Sequence, residues 1–306
     1  MKTALLVLIL AVAVHAWAQQ APDLSVNVNV VSLFATVRDH DGRLLNNLTS
    51  DDFTLQEDGT PQEIRYFSKE ADLPLTIGLL VDTSRSQVGV LPQESSASYK
   101  FLDQVLRDGK DQAFIVHFDD RVQTLQGLTS SHSLLAAALG PLKIPESVAT
   151  VLYSAIGEAS DNVMRKQPGR KALILLTDGV AYKDPISLGP AIDAAQRADT
   201  IIYAIRYSDS VRFNHPLRGL VMAVAKQRGK RELKRMARET GGVSYEVTET
   251  QTIEAIYAQI EDSLRNQYSI GYTPKRAAPD GKYHKLKLTA KDRRLTVATR
   301  DGYFAR

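Results

Sequence analysis

Five oxygen-bearing side chains stand out by type and spacing. Asp82, Ser84 and Ser86 occupy alternate positions in DTSRS, directly after the apolar run LTIGLLV. Thr150 precedes VLYSAI, and Asp178 lies in LLTDG. Two carboxylates and three hydroxyls, with no sulfur and no imidazole, suit a hard cation. Mg2+ takes about six oxygens near octahedral geometry and usually keeps some waters, with Mn2+ and Ca2+ as further ions for such a set. Alternate residues of a D-x-S-x-S loop can bend their oxygens inward around one point.

These groups act together only if the fold gathers them. LTIGLLVD, QAFIVHFD, KALILLTD and TIIYAIRYS are near-continuous apolar runs, as expected of parallel strands covered on both faces. Leu152, Ile156, Ala159 and Val163 fall on one helical stripe; Ile253, Ile256, Tyr257, Ile260 and Leu264 fall on another. HFDDRVQTLQGLT reads as a hairpin through Asp119-Asp120-Arg121 that adds an antiparallel edge strand. Ligands of open α/β sheets bind beyond the carboxyl ends of the strands. Asp82, Ser84 and Ser86 follow one such strand, Asp178 ends another, and Thr150 is expected to open a helix between them. All five converge on one rim.

Strand texture of another kind brackets this region. In LSVNVNVVSLFATVRD, Val26, Val28 and Val30 alternate with Ser25, Asn27 and Asn29, which places the valines on a buried strand face. DHDGR is a glycine turn, and DFTLQEDGTPQEIRYFS reads as two strands around Asp58-Gly59. After Leu264 the pattern returns in QYSIGYTP, KYHKLKLTA and RRLTVATRDGYF, where His284, Leu286 and Leu288 alternate with Lys285 and Lys287. Neither flank closes a sheet alone. The expected architecture is α/β: a doubly wound, mostly parallel sheet over residues 73–265, inserted between strands of a small β-sandwich formed by residues 19–72 and 266–306.

The order DTSRS, then Thr150 before VLYSAI, then LLTDG resembles the von Willebrand factor type A domain over roughly residues 73 to 265. That family's metal-ion-dependent adhesion site uses D-x-S-x-S, a distant Thr and a distant Asp. By motif position these are Asp82, Ser84, Ser86, Thr150 and Asp178. The resemblance implies a Rossmann-like fold, hydroxyls bound directly to Mg2+, and an aspartate acting through water. It further implies an open coordination position for an Asp or Glu carboxylate of a partner protein, hence an adhesion or protein-binding module and no enzyme. The layout with β segments on both sides also resembles bacterial exported proteins described only as von Willebrand factor A-related. Arg85 stands where many members have Gly, and Val148-Ala149 where many have a Gly pair; neither change removes a ligand oxygen.

Asp, Ser and Thr are also favoured helix N-caps. On that reading Asp82, Ser84 or Thr150 merely start helices, and TDG merely ends a strand. Residues 206 to 238 concentrate Arg and Lys and begin on the same rim. Arg85, Arg228, Lys230 and Arg231 are therefore candidates for a cationic flank that attracts an acidic partner. The plainer reading is a solvated loop and a helix, Arg231 to Glu239, ended by Gly241-Gly242. PLRGLVMAVAKQRGKR, with apolar residues ahead of its charges, also admits peripheral lipid contact.

Other functions find less support. A net charge of +3 is small, and the basic run is short and lacks interleaved aromatics, which argues against nucleic acid. No G-x-S-x-G, H-E-x-x-H, Walker or dinucleotide fingerprint occurs, and His15, His40, His117, His132, His215 and His284 are scattered singly. A metal-assisted hydrolase would have only Asp119, Asp120 or His117 as its base. A structural scaffold with a vestigial metal site is the remaining rival. Asn47-Leu48-Thr49 forms a glycosylation sequon. At the N-terminus, Lys2, the apolar run ALLVLILAVAV and the small-x-small Ala16-Trp17-Ala18 have the form of a signal peptide cleaved after Ala18. The run is short for a membrane span, and no later segment approaches that length. A periplasmic or secreted bacterial protein is expected. It has no cysteine, so neither disulfides nor a lipid-modified cysteine contribute.

Overall fold

The computed structural model describes residues 30–69, 73–140, 142, 144, 149–207, 216–275 and 280–305. The expected signal peptide, residues 1–18, lies outside them, as do Val26, Val28, Val148 and His215.

The chain begins with strands β1 (Val31–Arg38), β2 (Phe53–Glu57), β3 (Thr60–Gln62) and β4 (Tyr66–Lys69). The β2–β3 turn has Asp58 and Gly59 at φ 48° and 81°, the pair of positive values a tight hairpin requires. The buried face of β1 is Val31, Leu33, Ala35 and Val37, while Val30 precedes the strand and is exposed. Of the three valines expected on the buried face, Val30 is the one described, and it lies outside the core. Pairing of Val31 with Tyr272 sets the register.

The central region runs β5 (Leu75–Asp82), α1 (Leu91–Val105), β6 (Gln112–Phe118), β7 (Val122–Thr129), α2 (His132–Leu139), α3 (Leu152–Glu158), β8 (Arg170–Thr177), α4 (Leu188–Arg197), β9 (Ile201–Arg206), α5 (Pro216–Thr240), β10 (Ser244–Glu246) and α6 (Ile253–Arg265). Its six-stranded sheet has the order β10-β9-β8-β5-β6-β7. All neighbours are parallel except β6 and β7, which form the hairpin edge. Every residue of β5, β8 and β9 is buried. Such strands need cover on both faces, and helices supply it. On one face Ile77, Leu79 and Val81 meet Leu102 of α1, Leu135 of α2 and Ile256 of α6. On the other, Leu80 and Phe114 meet Ile156 of α3, Ile192 of α4 and Met236 of α5. Each such side chain contributes about 1.5–3 kcal/mol when fully removed from water.

Three details differ from the sequence expectation. The helix after Thr150 ends at Glu158 and widens into a π-turn, Ala159–Val163, so Met164 takes the buried place expected of Val163. Strand β10, three residues long, extends the sheet beyond β9. Helix α5 starts at Pro216, well before Arg231. Pro suits the first helical turn, but Leu220, Val221 and Val224 are exposed, and the buried stripe begins only with Gly229, Leu233 and Met236. The first half of the helix thus carries no core periodicity to betray it. Its end is as expected: Gly241 has φ 90°, and the Gly242 N–H returns to the Ala237 carbonyl.

After α6 come β11 (Tyr268–Tyr272), β12 (Tyr283–Ala290), β13 (Thr296–Ala298) and β14 (Gly302–Phe304). Two four-stranded sheets result, β13-β1-β11-β4 and β14-β12-β2-β3, each mixing strands from both chain ends. Leu33 pairs with Ile270 and Leu55 with Leu288. One apolar cluster draws on both sheets through Leu33, Val37, Phe53, Leu55, Ile270 and Leu288.

Candidate metal centre

Asp82 ends β5 fully buried. Its Oδ1 accepts the Ser84 N–H at 2.9 Å, and its Oδ2 accepts the Thr177 hydroxyl, from the end of β8, at 2.6 Å. The Ser84 and Ser86 hydroxyls lie 3.1 Å apart. Alternation thus turns both serines to the same side. Thr83, between Asp82 and Ser84, faces away: its hydroxyl donates to Asp119 Oδ2 at 2.9 Å and lies 3.0 Å from His117 Nδ1.

Asp178 follows β8. Its Oδ1 accepts the Val180 N–H at 2.9 Å, while its Oδ2 is buried with no hydrogen-bond partner. Ser86 and the cations Lys226 and Arg206 act on this carboxylate. The Arg206 Nε also donates to the Asp178 carbonyl at 3.3 Å. Thr150 reaches the rim by its backbone. It exchanges two hydrogen bonds with Tyr182, at 2.9 and 3.0 Å, and the next N–H, of Val151, donates to the Asp119 carbonyl at 2.8 Å. Asp82, Ser84, Ser86 and Asp178 therefore form one connected group, whereas Thr150 is tied to this end of the sheet by backbone bonds alone, its own to Tyr182 and that of Val151 to Asp119.

Capping does not explain these hydroxyls. Ser84 precedes a single 3-10 turn, Arg85–Gln87, and its side chain makes no cap bond. Helix α1 starts only at Leu91, and Val151, not Thr150, is the cap residue of α3. Thr150 does not open the helix as expected; the bridge to Tyr182 holds it one residue earlier.

Burial dominates the electrostatics of this group. Burial, and then the neighbouring Asp178, push the Asp82 carboxyl up to about 7 against the Ser84 and Thr177 hydrogen bonds. Burial also raises Asp178, against the Val180 N–H, the Ser86 hydroxyl, Lys226 and Arg206. A third buried carboxylate, Glu94 of α1, is pushed up to about 8 by burial and by Asp82 and Asp178. Both Glu94 oxygens, Asp178 Oδ2 and Gln87 Oε1 are buried acceptors without a partner. Orphan acceptors of this kind are rare in folded proteins. A set of oxygens short of donors fits a hard divalent cation with its waters.

The nominated flank is placed as follows. Arg85 and Arg231 are exposed. Arg228 is exposed, with its Nε 2.8 Å from Glu232, and Lys230 pairs with Glu246, which also holds Arg206. Lys226 and Arg206, which act on Asp178, were not singled out in the sequence, nor were Glu94 and Gln87. Glu94 had a readable signal: an acid in the inward stripe Leu91, Glu94, Ser98, Phe101, Leu102 and Val105. Gly229 was missed as well. A Cβ there would lie 2.4 Å from the Gly179 carbonyl oxygen, so α5 lies directly against the TDG turn.

Among the described residues, one group of three His, Asp or Glu side chains comes close enough to share an ion: Glu57, Asp58 and His284. It lies in the β2–β12 sheet, away from the rim. His284 Nδ1 is 2.7 Å from Asp58 Oδ2, its Nε2 is 2.9 Å from Asp280 Oδ1, and Glu57 accepts the Tyr272 hydroxyl at 2.8 Å. These contacts tie the β2–β3 turn to β12. A cavity of about 640 Å3, lined by Leu33, Gly169, Thr200 and Arg300 among others, lies where the central strands begin, at the end opposite the rim. None of the described helices is long and apolar enough to cross a membrane.

Comparison with known proteins follows the same lines. Proximal thread matrix protein 1 from the mussel byssus, solved with a zinc-occupied MIDAS motif, is 17% identical with a TM-score of 0.52. The match covers 69% of this chain and 50% of that one, so the chain spans about half the length of the mussel protein. An aerotolerance-related membrane protein from Bacteroides fragilis is 16% identical (TM-score 0.47, 63% and 98% covered). The vWF domain of the type V pili tip protein Mfa5 from Porphyromonas gingivalis is 14% identical (TM-score 0.48, 63% and 95% covered). At 17% identity the likeness to the mussel protein is one of fold alone. No curated protein matched. The sequence profile of the von Willebrand factor type A domain matches residues 76–259, more than half of the chain, and the chain belongs to that family.

Proposed function

We propose that this is an exported protein-binding module in which Asp82, Ser84, Ser86, Thr150 and Asp178 hold Mg2+ and an Asp or Glu carboxylate of a partner protein completes the ion's coordination. One observation carries the reading. Asp178 Oδ2, buried and without a hydrogen-bond partner, stands beside the Ser84–Ser86 pair and Asp82 at the carboxyl end of a parallel sheet. The ion, when bound, supplies an electrophile to which an anionic ligand adds.

This chain's residues do the rest. The Ser84 N–H and Thr177 hydroxyl occupy both oxygens of Asp82, which orients that carboxylate and favours its action through water. Thr83, bonded to Asp119, fixes the loop so that its serines face inward. Arg206 and Lys226 give the Asp178 side a positive field that favours an acidic partner. The two β-sheets of the flanks are read as one β-sandwich, residues 19–72 with 266–306, that carries the domain of residues 73–265. Adhesion or pilus-type attachment is the role to test first, and Mn2+, Ca2+ and Zn2+ are the further ions to try. A hydrolase gains little from this geometry, because Asp119 already accepts from Thr83 and from the Asp120 N–H.

The decisive experiment compares the mature chain with Asp82→Ala and Asp178→Ala by thermal shift and pull-down, in Mg2+ and in EDTA. Metal should stabilise only the unmodified chain, and a partner should elute only when metal is present. Equal metal-induced shifts in all three proteins, or capture that survives EDTA, would refute the reading.

A further inference from the structure

Glu94 is unexplained by the five-residue site. It is completely buried on α1, and neither of its oxygens has a hydrogen-bond partner. A buried carboxylate is normally paired with a cation or well supplied with donors, since leaving it bare opposes folding strongly. The polar groups around it are already taken. Ser98, one turn further along α1, lies 2.7 Å from the Tyr257 hydroxyl, and Gln93 accepts the Tyr207 hydroxyl at 2.7 Å. The charges that bear on Glu94 are the carboxylates of Asp82 and Asp178, both repulsive. Among the described residues no cation counters them.

A purely structural glutamic acid would be expected to donate its proton to an acceptor, yet neither oxygen is within reach of one. Asp178, whose charge bears on Glu94, likewise has its Oδ2 orphaned, as is Gln87 Oε1 from the loop that follows Asp82. Four acceptor oxygens without a donor indicate what is needed there: groups that donate, carried by something positive. Water on a divalent cation meets both demands. Mg2+ gives up its waters reluctantly, and a site of few direct ligands leaves several of them facing the protein.

We infer that Glu94 is a third carboxylate of the metal centre, accepting hydrogen bonds from water held on the bound divalent cation. This inference rests on the reading of Asp82, Ser84, Ser86, Thr150 and Asp178 as that cation's site. Glu94 is a positioning residue: it acts on the ion through water and sets how tightly a doubly charged ion is retained. Three acids buried close together are disfavoured as carboxylates when no cation is bound, and a dication relieves that penalty. Glu94 therefore makes the fold less stable without metal and the complex tighter with it.

The two opposed effects supply the test. The mature chain and Glu94→Gln are titrated with Mg2+ and Mn2+ by calorimetry and melted in EDTA. The amide keeps the shape and brings donors to the orphaned oxygens, so in EDTA the variant should melt above the unmodified chain. Its Mg2+ affinity should fall at least about tenfold, in the range seen when groups behind a metal's direct ligands are removed. Glu94→Asp keeps the charge with a shorter reach, so its affinity should fall between the two; it also serves if the amide variant misfolds. Mg2+ affinity within about twofold of the unmodified chain in the folded variants would overturn the inference and leave the five-residue site standing. An unmodified chain that folds but ignores both metals would overturn the two together.

Discussion

Gly229 offers a perturbation that touches no ligand and should still reach the ion. A Cβ on Gly229 would lie 2.4 Å from the carbonyl oxygen of Gly179 and 2.6 Å from its carbonyl carbon. Both are backbone atoms and cannot rotate aside. Ordinary contact begins at 3.4 Å, so helix and turn must part by about 1 Å in a densely packed region. Leu233 and Met236 anchor the same helix in the core, which leaves the TDG turn as the element that yields. Overpacking of this kind costs about 1–3 kcal/mol, and a domain of this size should lose about 2–12 °C in Tm.

The turn that moves carries Asp178, whose Oδ1 is held by the Val180 N–H two residues on. Mg2+ tolerates little departure from octahedral geometry. Gly229→Ala should therefore weaken Mg2+ binding about 10–100-fold, the range found when supporting groups around a metal are disturbed. Calorimetric titration and differential scanning fluorimetry give both quantities. Gly189→Ala is the control: its Cβ would have nothing within 4 Å, and alanine gains up to about 1 kcal/mol in a helix, so Tm should hold or rise with Mg2+ binding unchanged. If Gly229→Ala melted and bound Mg2+ like the unmodified chain, the reasoning that ties α5 to the site would be wrong.

Three further outcomes are expected. Asp111 accepts the Leu75 N–H at 2.9 Å and three N–H groups of Arg107; burial would raise its pKa, but the Arg107 contacts and the Leu75 N–H outweigh it and hold it below the usual carboxylate range. Its contribution is thus present above the unfolded carboxyl's pKa and lost as pH falls through the lower folded value. Asp111→Asn should cost about 2–4 kcal/mol in urea unfolding near neutral pH, and a loss under about 0.5 kcal/mol would contradict this. Gly78→Ala would place a Cβ 2.4 Å from Phe114 Cζ and 2.6 Å from Leu173 Cδ2; it should lose about 1–3 kcal/mol, and adding Phe114→Leu should restore part of it, a recovery that a double-mutant cycle would detect. In EDTA, Asp82 and Glu94 keep protons up to about 7 and about 8 that the unfolded chain gives up near its ordinary values of 3.8 and 4.5. That stability is fully present below the unfolded values and is lost as pH rises through the folded ones. Tm should accordingly fall between about pH 5 and 8 without metal and fall less with saturating Mg2+; a flat metal-free profile would contradict the burial of these carboxyls.

What could be read from the sequence was whatever one segment decides by itself. Asp82, Ser84 and Ser86 were legible because a D-x-S-x-S loop orients its own oxygens, and β5, β8 and β9 because full burial leaves unbroken apolar runs. The Asp58-Gly59 turn and the Gly241 cap were legible because positive φ selects the residue types. What escaped depends on contacts between segments. Val30 lost its place in the core to Val31 because Tyr272, far along the chain, sets the register. The described side chains in the first half of α5 form no buried stripe, so no periodicity announced it, and nothing in the sequence marks Gly229 as the residue that lets the helix touch the TDG turn.

Glu94 shows the same limit from the other side. Its spacing puts it in the inward stripe of α1, but only the fold brings that position up against Asp82 and Asp178. A chain selected for stability alone would carry a leucine or an alanine there, since a bare buried carboxylate next to two others opposes folding. Its retention makes sense if the folded protein completes itself with a cation. The acid whose role only the fold reveals is thus the one whose cost argues most directly for the ion.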